Sequence, residues 1–212
     1  RNNKKHIFLD FDYTLPNNGG SANMLSFDKF KPEQWELRNP KLEAYDAGDV
    51  IEDEEVMSSI NGAWSWMSSV YNNKLTNKNP SNINIKSWVD YLITAELIWH
   101  EDGLDNNIFI ASWADSFQPL IYDAELTLGR SINGVSTNIQ GLLINAGTRG
   151  ALFWQRFHSY YREEIKARYT ELRNRKTIDI DTFNEIVENE ASKIPAEFLK
   201  ENNDKWGYYI NG

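Results

Sequence analysis

The feature that most constrains the fold is a helical pattern followed at once by two short apolar runs. Residues 85–99 carry apolar side chains at spacings of three and four, which predicts an amphipathic helix. Residues 108–113 and 118–122 have the length of strands, and only a short polar stretch separates them. This pattern predicts a β-hairpin. A polar loop at residues 100–107 joins the helix to the hairpin, so the centre of the chain indicates an α+β fold.

Two further strands are predicted ahead of this unit. Residues 6–15 alternate apolar and polar side chains, and a Pro-Asn-Asn-Gly-Gly stretch ends the pattern. Residues 35–38 form a shorter apolar run that stops before Asn39-Pro40. We therefore expect residues 1–50 to be a β-rich opening segment.

The chain is predicted to be mostly helical after residue 50. Apolar positions at helical spacing predict helices at residues 52–73, 150–173 and 181–193. In the second of these, Glu164 and Arg168 are spaced i,i+4, which predicts an ion pair worth about 0.2–0.5 kcal/mol. We expect one domain, or a fragment of one, with residues 51–212 forming a helical lobe that carries the site.

Composition excludes several classes of function. The 212 residues have a net charge of −9, which argues against nucleic-acid binding because that needs basic patches. The chain has no cysteine, so disulfides and thiolate chemistry are excluded. No apolar run approaches the roughly 20 residues that a membrane span requires. We expect a protein partner or substrate and no membrane span.

A set of polar residues around the predicted hairpin suits phosphoryl transfer. Asp102 is followed five residues later by Asn107, and Asp123 and Glu125 come at the end of the second apolar run. One carboxylate can orient an attacking hydroxyl, while the amide and the later acids can hold Mg²⁺ on the phosphates. The alternative is that the first two are turn residues and the last two face solvent.

Three basic residues are weaker candidates. His100 could orient the Asp102 loop, or it could be a buried histidine whose hydrogen bonds are satisfied. Arg130 follows Gly129 and is placed to contact phosphate. Arg38 could also contact phosphate, although an ion pair on an exposed strand is the simpler interpretation.

Asp10 and Asp12 suggest a different chemistry. They follow Ile-Phe-Leu in the pattern of the first motif of haloacid-dehalogenase-like phosphatases, and Ser112 could serve as the second motif. Only ten residues separate Ser112 from Asp123, with no lysine among them and no room for a crossover helix. An antiparallel strand with its polar residues facing water is the favoured interpretation.

Several stretches resemble the CotH kinase family, the spore-coat-type atypical protein kinases. The densest similarity covers Ile-Lys-Ser-Trp-Val-Asp-Tyr-Leu-Ile at residues 85–93 and Ile-Tyr-Asp-Ala-Glu-Leu-Thr-Leu-Gly at residues 121–129. Glu-Leu-Arg at residues 171–173 resembles part of the signature of the family's C-terminal helices. The resemblance touches most of the chain.

The resemblance implies the C-terminal lobe of a protein-kinase-like fold. Asp102 would be the catalytic Asp with His100 beside it, Asn107 would contact cofactor and metal, and Asp123 would be the Mg²⁺ carboxylate. Glu125 stands where the family usually has a second Asp. Arg38 stands where it often has Lys.

Mg²⁺ and ATP are the implied cofactors, and protein hydroxyls are the implied substrates. The family's first strands and ATP-covering lobe should precede a stretch like residues 6–15. We therefore expect this portion to be inactive alone or to need another segment.

CotH-like segments, including the Leu-Phe-Trp…Glu-Ile-Lys…Tyr-x-x-Leu-Arg pattern within residues 152–173, also resemble parts of large virion proteins of gut phages. That resemblance implies a non-catalytic assembly role within a larger polypeptide. An extracellular, cell-surface or virion location is expected on either account.

Overall fold

A computed structural model of the chain describes residues 4–11, 25–32, 34–43, 45–113, 115–124, 127–128, 141–145 and 151–206, without the side chains of Ala151 and Trp206. Within these ranges the fold is α+β, as predicted. The strands are β1 (Phe8–Phe11), β2 (Trp35–Asn39), β3 (Ile108–Trp113) and β4 (Ser116–Ile121). The α-helices are α1 (Glu54–Tyr71), α2 (Ile85–Ile98), α3 (Ala151–Tyr160), α4 (Arg162–Asn174), α5 (Ile180–Ser192) and α6 (Ala196–Trp206).

The four strands form one antiparallel sheet in the order β2-β1-β3-β4. The predicted hairpin is confirmed as β3 and β4, with β4 starting two residues earlier than expected. Of the strand predicted at residues 6–15, only Phe8–Phe11 is extended among the described residues, and residues 12–15 lie outside them. Because β1 pairs with β3, the opening segment and the helical lobe share a sheet.

The two helices of the first half begin at side-chain caps. The Asp53 carboxylate accepts a hydrogen bond from the Val56 amide at 3.1 Å, which satisfies an N–H group that the helix leaves free. Asn84 does the same for the Ser87 amide at 3.2 Å at the start of α2. The α2 helix ends where Trp99 adopts the left-handed conformation, with φ of 55°.

The prediction of a single helix at residues 150–173 is wrong, because the structure has two helices there, α3 and α4. They meet at Tyr161, whose φ of −111° and ψ of 26° are not helical. The backbone bonds from the Tyr161 amide to the Phe157 carbonyl and from the Ile165 amide to the Tyr161 carbonyl continue through the kink, both at 2.9 Å. The sequence hides the kink because Tyr161 fits the apolar stripe of one continuous helix.

An ion pair fixes α4 against α2. Arg168 Nε lies 2.6 Å from Asp90 Oδ1, and its Nη2 lies 3.2 Å from Asp90 Oδ2. The remaining guanidinium nitrogen reaches Glu171 at 2.7 Å, so the expected pair with Glu164 is wrong. These two carboxylates raise the pKa of Arg168, and the hydrogen bond that Arg168 donates to Asp90 is the largest cause.

The end of the chain holds one predicted helix and one that was missed. The helix predicted at residues 181–193 is α5, starting one residue earlier. The α6 helix follows Pro195 and was not predicted. Polar residues dominate its sequence, so it lacks the apolar stripe that identified the other helices.

Aromatic side chains fill the core between the sheet and helices α1 to α3. Trp88 of α2 is fully buried at their centre. Ring centroids lie 5.2 to 6.3 Å from it for Phe27, Trp66, Phe153, Trp154 and Phe157. Such distances suit tilted and edge-on aromatic contacts, which add to the stabilisation gained from burial.

Tyr161 anchors the kink through its hydroxyl. The hydroxyl donates to the Lys78 carbonyl at 2.7 Å and accepts from Trp66 Nε1 at 3.1 Å. Burial raises the pKa of Tyr161 to about 12, so the group remains protonated at neutral pH and can donate.

Replacing Tyr161 with Phe should lower the free energy of unfolding by about 1–3 kcal/mol, because the buried Trp66 N–H and the Lys78 carbonyl lose their partner. Urea denaturation measures the change. Tyr169→Phe on the exposed side of α4 is the matched control and should change stability by less than about 0.5 kcal/mol. Equal effects of the two variants would contradict the role given to the Tyr161 hydroxyl.

Stability should also fall at alkaline pH. The pKa of Tyr161 is near 10.0 when the side chain is free and about 12 in the fold, so the unfolded chain loses this proton first. The stabilisation is therefore fully present below pH 10.0 and is lost as pH rises towards 12. Urea midpoints measured from neutral pH upwards should fall less steeply for Tyr161→Phe than for the unmodified chain. Parallel curves would contradict this.

Candidate functional site

The loop after α2 is held from inside the protein by His100. The left-handed conformation of Trp99 turns the chain so that the His100 ring is fully buried. Its Nε2 lies 3.1 Å from the carbonyl oxygen of Tyr122, just after β4. A carbonyl oxygen can only accept, so Nε2 carries the proton. The bond ties the start of the loop to the end of the hairpin.

Gly103 is required by the position of that ring. A Cβ atom at residue 103 would lie 2.7 Å from His100 Nε2 and 2.8 Å from its Cγ, closer than real Cβ contacts. The ring is buried, so it has little room to move away. Only glycine allows the loop backbone to pack against the imidazole.

Two aromatic side chains hold the next carbonyls of the loop. The Tyr91 hydroxyl of α2 donates to the Gly103 carbonyl at 2.6 Å, and Trp154 Nε1 of α3 donates to the Leu104 carbonyl at 3.1 Å. The rings of Tyr91 and Trp154 are stacked, with centroids 5.3 Å apart. Burial raises the pKa of Tyr91, which keeps its hydroxyl protonated. The loop is thus fixed to two helices at adjacent peptide groups.

Backbone hydrogen bonds link three residues of the predicted set. The Asp105 amide donates to the Asp102 carbonyl at 3.1 Å, which closes a short 3-10 turn, and the amides of Asn106 at 2.6 Å and Asn107 at 2.7 Å donate to the same carbonyl. The Asn107 side chain then donates through Nδ2 to the Asp123 carbonyl at 3.3 Å. Asn107 therefore bridges the loop of Asp102 and the residue that follows the hairpin.

Asp123 has an unusual backbone. Its φ of 50° is in the left-handed region, which few residues other than glycine adopt, although aspartate tolerates it better than most. Such conformations cost about 1–3 kcal/mol and cluster at functional sites. The Asn107 amide supports it from one side, and the bond from His100 to Tyr122 holds the residue before it.

The donor set suits a hard cation. Asp102 is half-buried, Asp123 is exposed, and Asn107 adds an amide oxygen. Mg²⁺ takes oxygen ligands and is often bound by only one or two carboxylates, with phosphates and water completing its shell. No group of three or more His, Asp or Glu side chains able to hold a metal occurs in the described part of the chain. Asp102, Asn107 and Asp123 thus carry oxygen donors of the type that Mg²⁺ takes, and the Asn107 amide oxygen also accepts from Asn106 Nδ2 at 3.1 Å.

The remaining predicted site residues have different outcomes. Glu125 and Arg130 lie outside the described residues. Arg38 lies on the sheet, where its Nη2 is 2.8 Å from the Asp10 carboxylate and 3.0 Å from that of Glu36. These are the contacts of a cross-strand ion pair, the simpler of the two interpretations given to Arg38.

The two aspartates of the phosphatase hypothesis have different outcomes. Asp10 lies on β1, which pairs antiparallel with both of its neighbours, and its carboxylate faces Arg38. Asp12 is outside the described residues. Ser112 is buried, and its hydroxyl donates to the Lys5 carbonyl at 2.6 Å, which is a structural contact.

Sequence reasoning missed the residues that support the loop. Tyr91 and Trp154 lie on the apolar faces of their helices, so their pattern indicates only burial. Gly103 directly follows Asp102, and a glycine there was the one available signal of a close backbone approach.

The fold is that of an α+β protein in which a polar loop, held by hydrogen bonds, joins a helix to a hairpin. The sequence profile described as CotH kinase protein matches residues 2–211. The chain therefore belongs to the CotH kinase family, as the resemblance predicted. No curated protein and no solved structure matches it. Among the described residues, no helix has the length and apolar character to cross a membrane.

Gly103→Ala should destabilise the chain by about 1–3 kcal/mol, because the new methyl group must displace the His100 ring. Gly62→Ala in α1 is the matched control. Its Cβ would meet only the flexible end of Asn82 at 3.3 Å, and alanine favours a helix, so no loss of stability is expected. Urea denaturation of both variants measures the difference, and an equal response would show that the close contact is unimportant.

Proposed function

We propose, in place of the expectation that this portion is inactive alone, that this CotH family chain transfers phosphate from ATP to protein hydroxyls with Mg²⁺ as cofactor. The observation that supports the proposal is the hydrogen bond from the Asn107 side chain to the Asp123 backbone carbonyl, which links the Asp102 loop to the end of the hairpin. Phosphoryl transfer depends mostly on positioning and charge stabilisation, so a rigid polar cluster is what the reaction needs.

Each residue has a proposed role. Asp102 would accept the proton of the attacking hydroxyl and orient it, because it lies on a loop whose next two carbonyls, those of Gly103 and Leu104, are held by hydrogen bonds. Asp123 and Asn107 would provide oxygen ligands for Mg²⁺, with Glu125 as a further ligand. When bound, Mg²⁺-ATP supplies the phosphoryl group and neutralises the charge that develops on it.

The supporting residues would act indirectly. His100 fixes the distance between the loop and the end of β4 through the Tyr122 carbonyl. Tyr91 and Trp154 prevent the loop from shifting, and a displacement of about 1 Å at such a site can cost two orders of magnitude in rate. These are positioning residues and not catalytic ones.

A non-catalytic assembly role is the second candidate, as in the phage virion proteins that the sequence also resembles. The observation that favours it is the exposure of apolar side chains along α5 and α6, including Ile186 at 57% and Phe198 at 59%. Exposed apolar faces commonly mark contacts with other proteins. Asp10 in its antiparallel strand offers no comparable support for a phosphatase.

Asp102→Asn should lower the rate of phosphate transfer from Mg²⁺-ATP by about 10²–10⁴-fold, because the variant cannot accept the hydroxyl proton. Transfer of labelled phosphate to a general protein substrate, or to the chain itself, measures the rate. Glu101→Gln is the matched control, since Glu101 is the exposed neighbour and should leave the rate unchanged. Absence of transfer by the unmodified chain, or equal rates for the two variants, would contradict the proposal.

A further inference from the structure

A groove on the side of the helical layer is separate from the Asp102 loop. It lies between α2, α3, α4 and residues 141–142, and it encloses about 570 Å³. Its floor is apolar and is formed by Leu92, Ile93, Leu97, Leu142 and Ile165. A concave apolar surface of this size is large enough to receive several side chains of a partner.

The rim of the groove is basic. His158, Arg162 and Lys166 line it, and the Arg162 and Lys166 side chains form no ion pair within the described part of the chain. The acid in the lining, Glu96, is already engaged, because its two oxygens accept from the Leu143 amide at 2.6 Å and the Ile144 amide at 3.0 Å. The groove therefore presents positive charge on a chain whose net charge is −9.

Helix α5 of the same chain exposes an apolar surface with acidic residues. No residue of α5 is buried, and its apolar side chains Phe183, Ile186 and Val187 are 43%, 57% and 48% exposed. They share one side of the helix by their i,i+3 and i,i+4 spacing, and Glu190 extends that side by one turn. The helix carries Asp181, Glu185, Glu188 and Glu190 and no basic residue.

We propose that α5 of one copy of this chain docks into the groove of a second copy. The apolar side of α5 would cover the apolar floor, and Glu190 would exchange its surface ion pair with Lys193 for the rim bases Arg162 and Lys166. Burying an amphipathic helix in a groove is a common mode of recognition.

The charge pattern selects this arrangement over a contact between two α5 helices. Two copies of α5 placed face to face would bring together eight acids and no base, which is unfavourable. The docking joins two different surfaces, so the contact is heterologous and leaves α5 of one copy and the groove of the other free to continue the assembly. It goes beyond the proposed phosphoryl transfer, since it uses neither Asp102 nor Asp123.

Charge reversal on each side tests the docking. One variant carries Arg162→Glu with Lys166→Glu, and the other carries Glu188→Lys with Glu190→Lys. All four residues are exposed, so both variants should fold. The unmodified chain should show a weight-average mass above the 24.6 kDa of a single copy in sedimentation equilibrium, rising with concentration.

Each reversed variant alone should remain at the mass of a single copy, because the charge at residue 190 and the charges at residues 162 and 166 then repel. An equimolar mixture of the two should associate again, since the reversed charge at residue 190 of one copy attracts the reversed charges of the other copy's groove. The control is Glu43→Lys with Glu101→Lys, which changes the net charge by the same amount as the two substitutions in α5. Both residues are exposed and lie outside the two surfaces. The control should associate as the unmodified chain does.

Three results would overturn the proposal. The first is an unmodified chain that stays at the mass of a single copy up to about 1 mM, where even weak contacts form. The second is continued association of either reversed variant alone. The third is a mixture that fails to associate although both of its components are folded.

Discussion

The contact between the His100 ring and the Gly103 backbone is the constraint on which the site depends. It can form only because α2 ends in a left-handed residue and because residue 103 has no side chain. The ring then reaches the Tyr122 carbonyl, so one buried imidazole sets the distance between the loop after α2 and the end of the hairpin. Asn107 can bridge to Asp123 because that distance is fixed. A larger residue at position 103 would separate the two halves of the site while leaving the sheet and the aromatic core in place.

The aromatic core also holds the loop in position. Trp88 lies at its centre, and Trp154 is both a member of the core and a donor to the loop. The Trp154 N–H and the Tyr91 hydroxyl thus connect packed aromatic side chains to the loop that contains Asp102. Tyr and Trp suit this role because one end is apolar and the other forms a hydrogen bond. The chain combines a rigid α1–α3 body with helices α5 and α6, whose apolar residues remain exposed. The proposed phosphoryl transfer and the proposed docking therefore use different parts of the molecule.

The sequence predicted elements that depend on local pattern and missed features that depend on distant contacts. The α2 helix and the β3–β4 hairpin follow from periodicity, and both were predicted to within two residues. The kink at Tyr161 was missed because its cause is a pair of hydrogen bonds to Trp66 and Lys78, which lie more than 80 residues away. The partner of Arg168 was mispredicted for the same reason. In the site, the spacing of the acids and the amide predicted Asp102, Asn107 and Asp123 as functional residues, and that assignment stays a prediction. The support of the loop by Tyr91 and Trp154 could not be predicted. Both residues lie on apolar helix faces, and such a pattern does not indicate which carbonyl the Tyr hydroxyl or the Trp N–H will reach.

The central claim is that the cluster of Asp102, Asn107 and Asp123 binds Mg²⁺ together with ATP, and thermal unfolding with ligand tests it most directly. Mg²⁺-ATP at about 100 times its dissociation constant should stabilise the chain by about 2.7 kcal/mol. ATP with EDTA should give a much smaller effect, and Asp123→Asn should abolish the part that depends on the metal. A stabilisation that is the same with and without Mg²⁺, or that survives Asp123→Asn unchanged, would contradict the account.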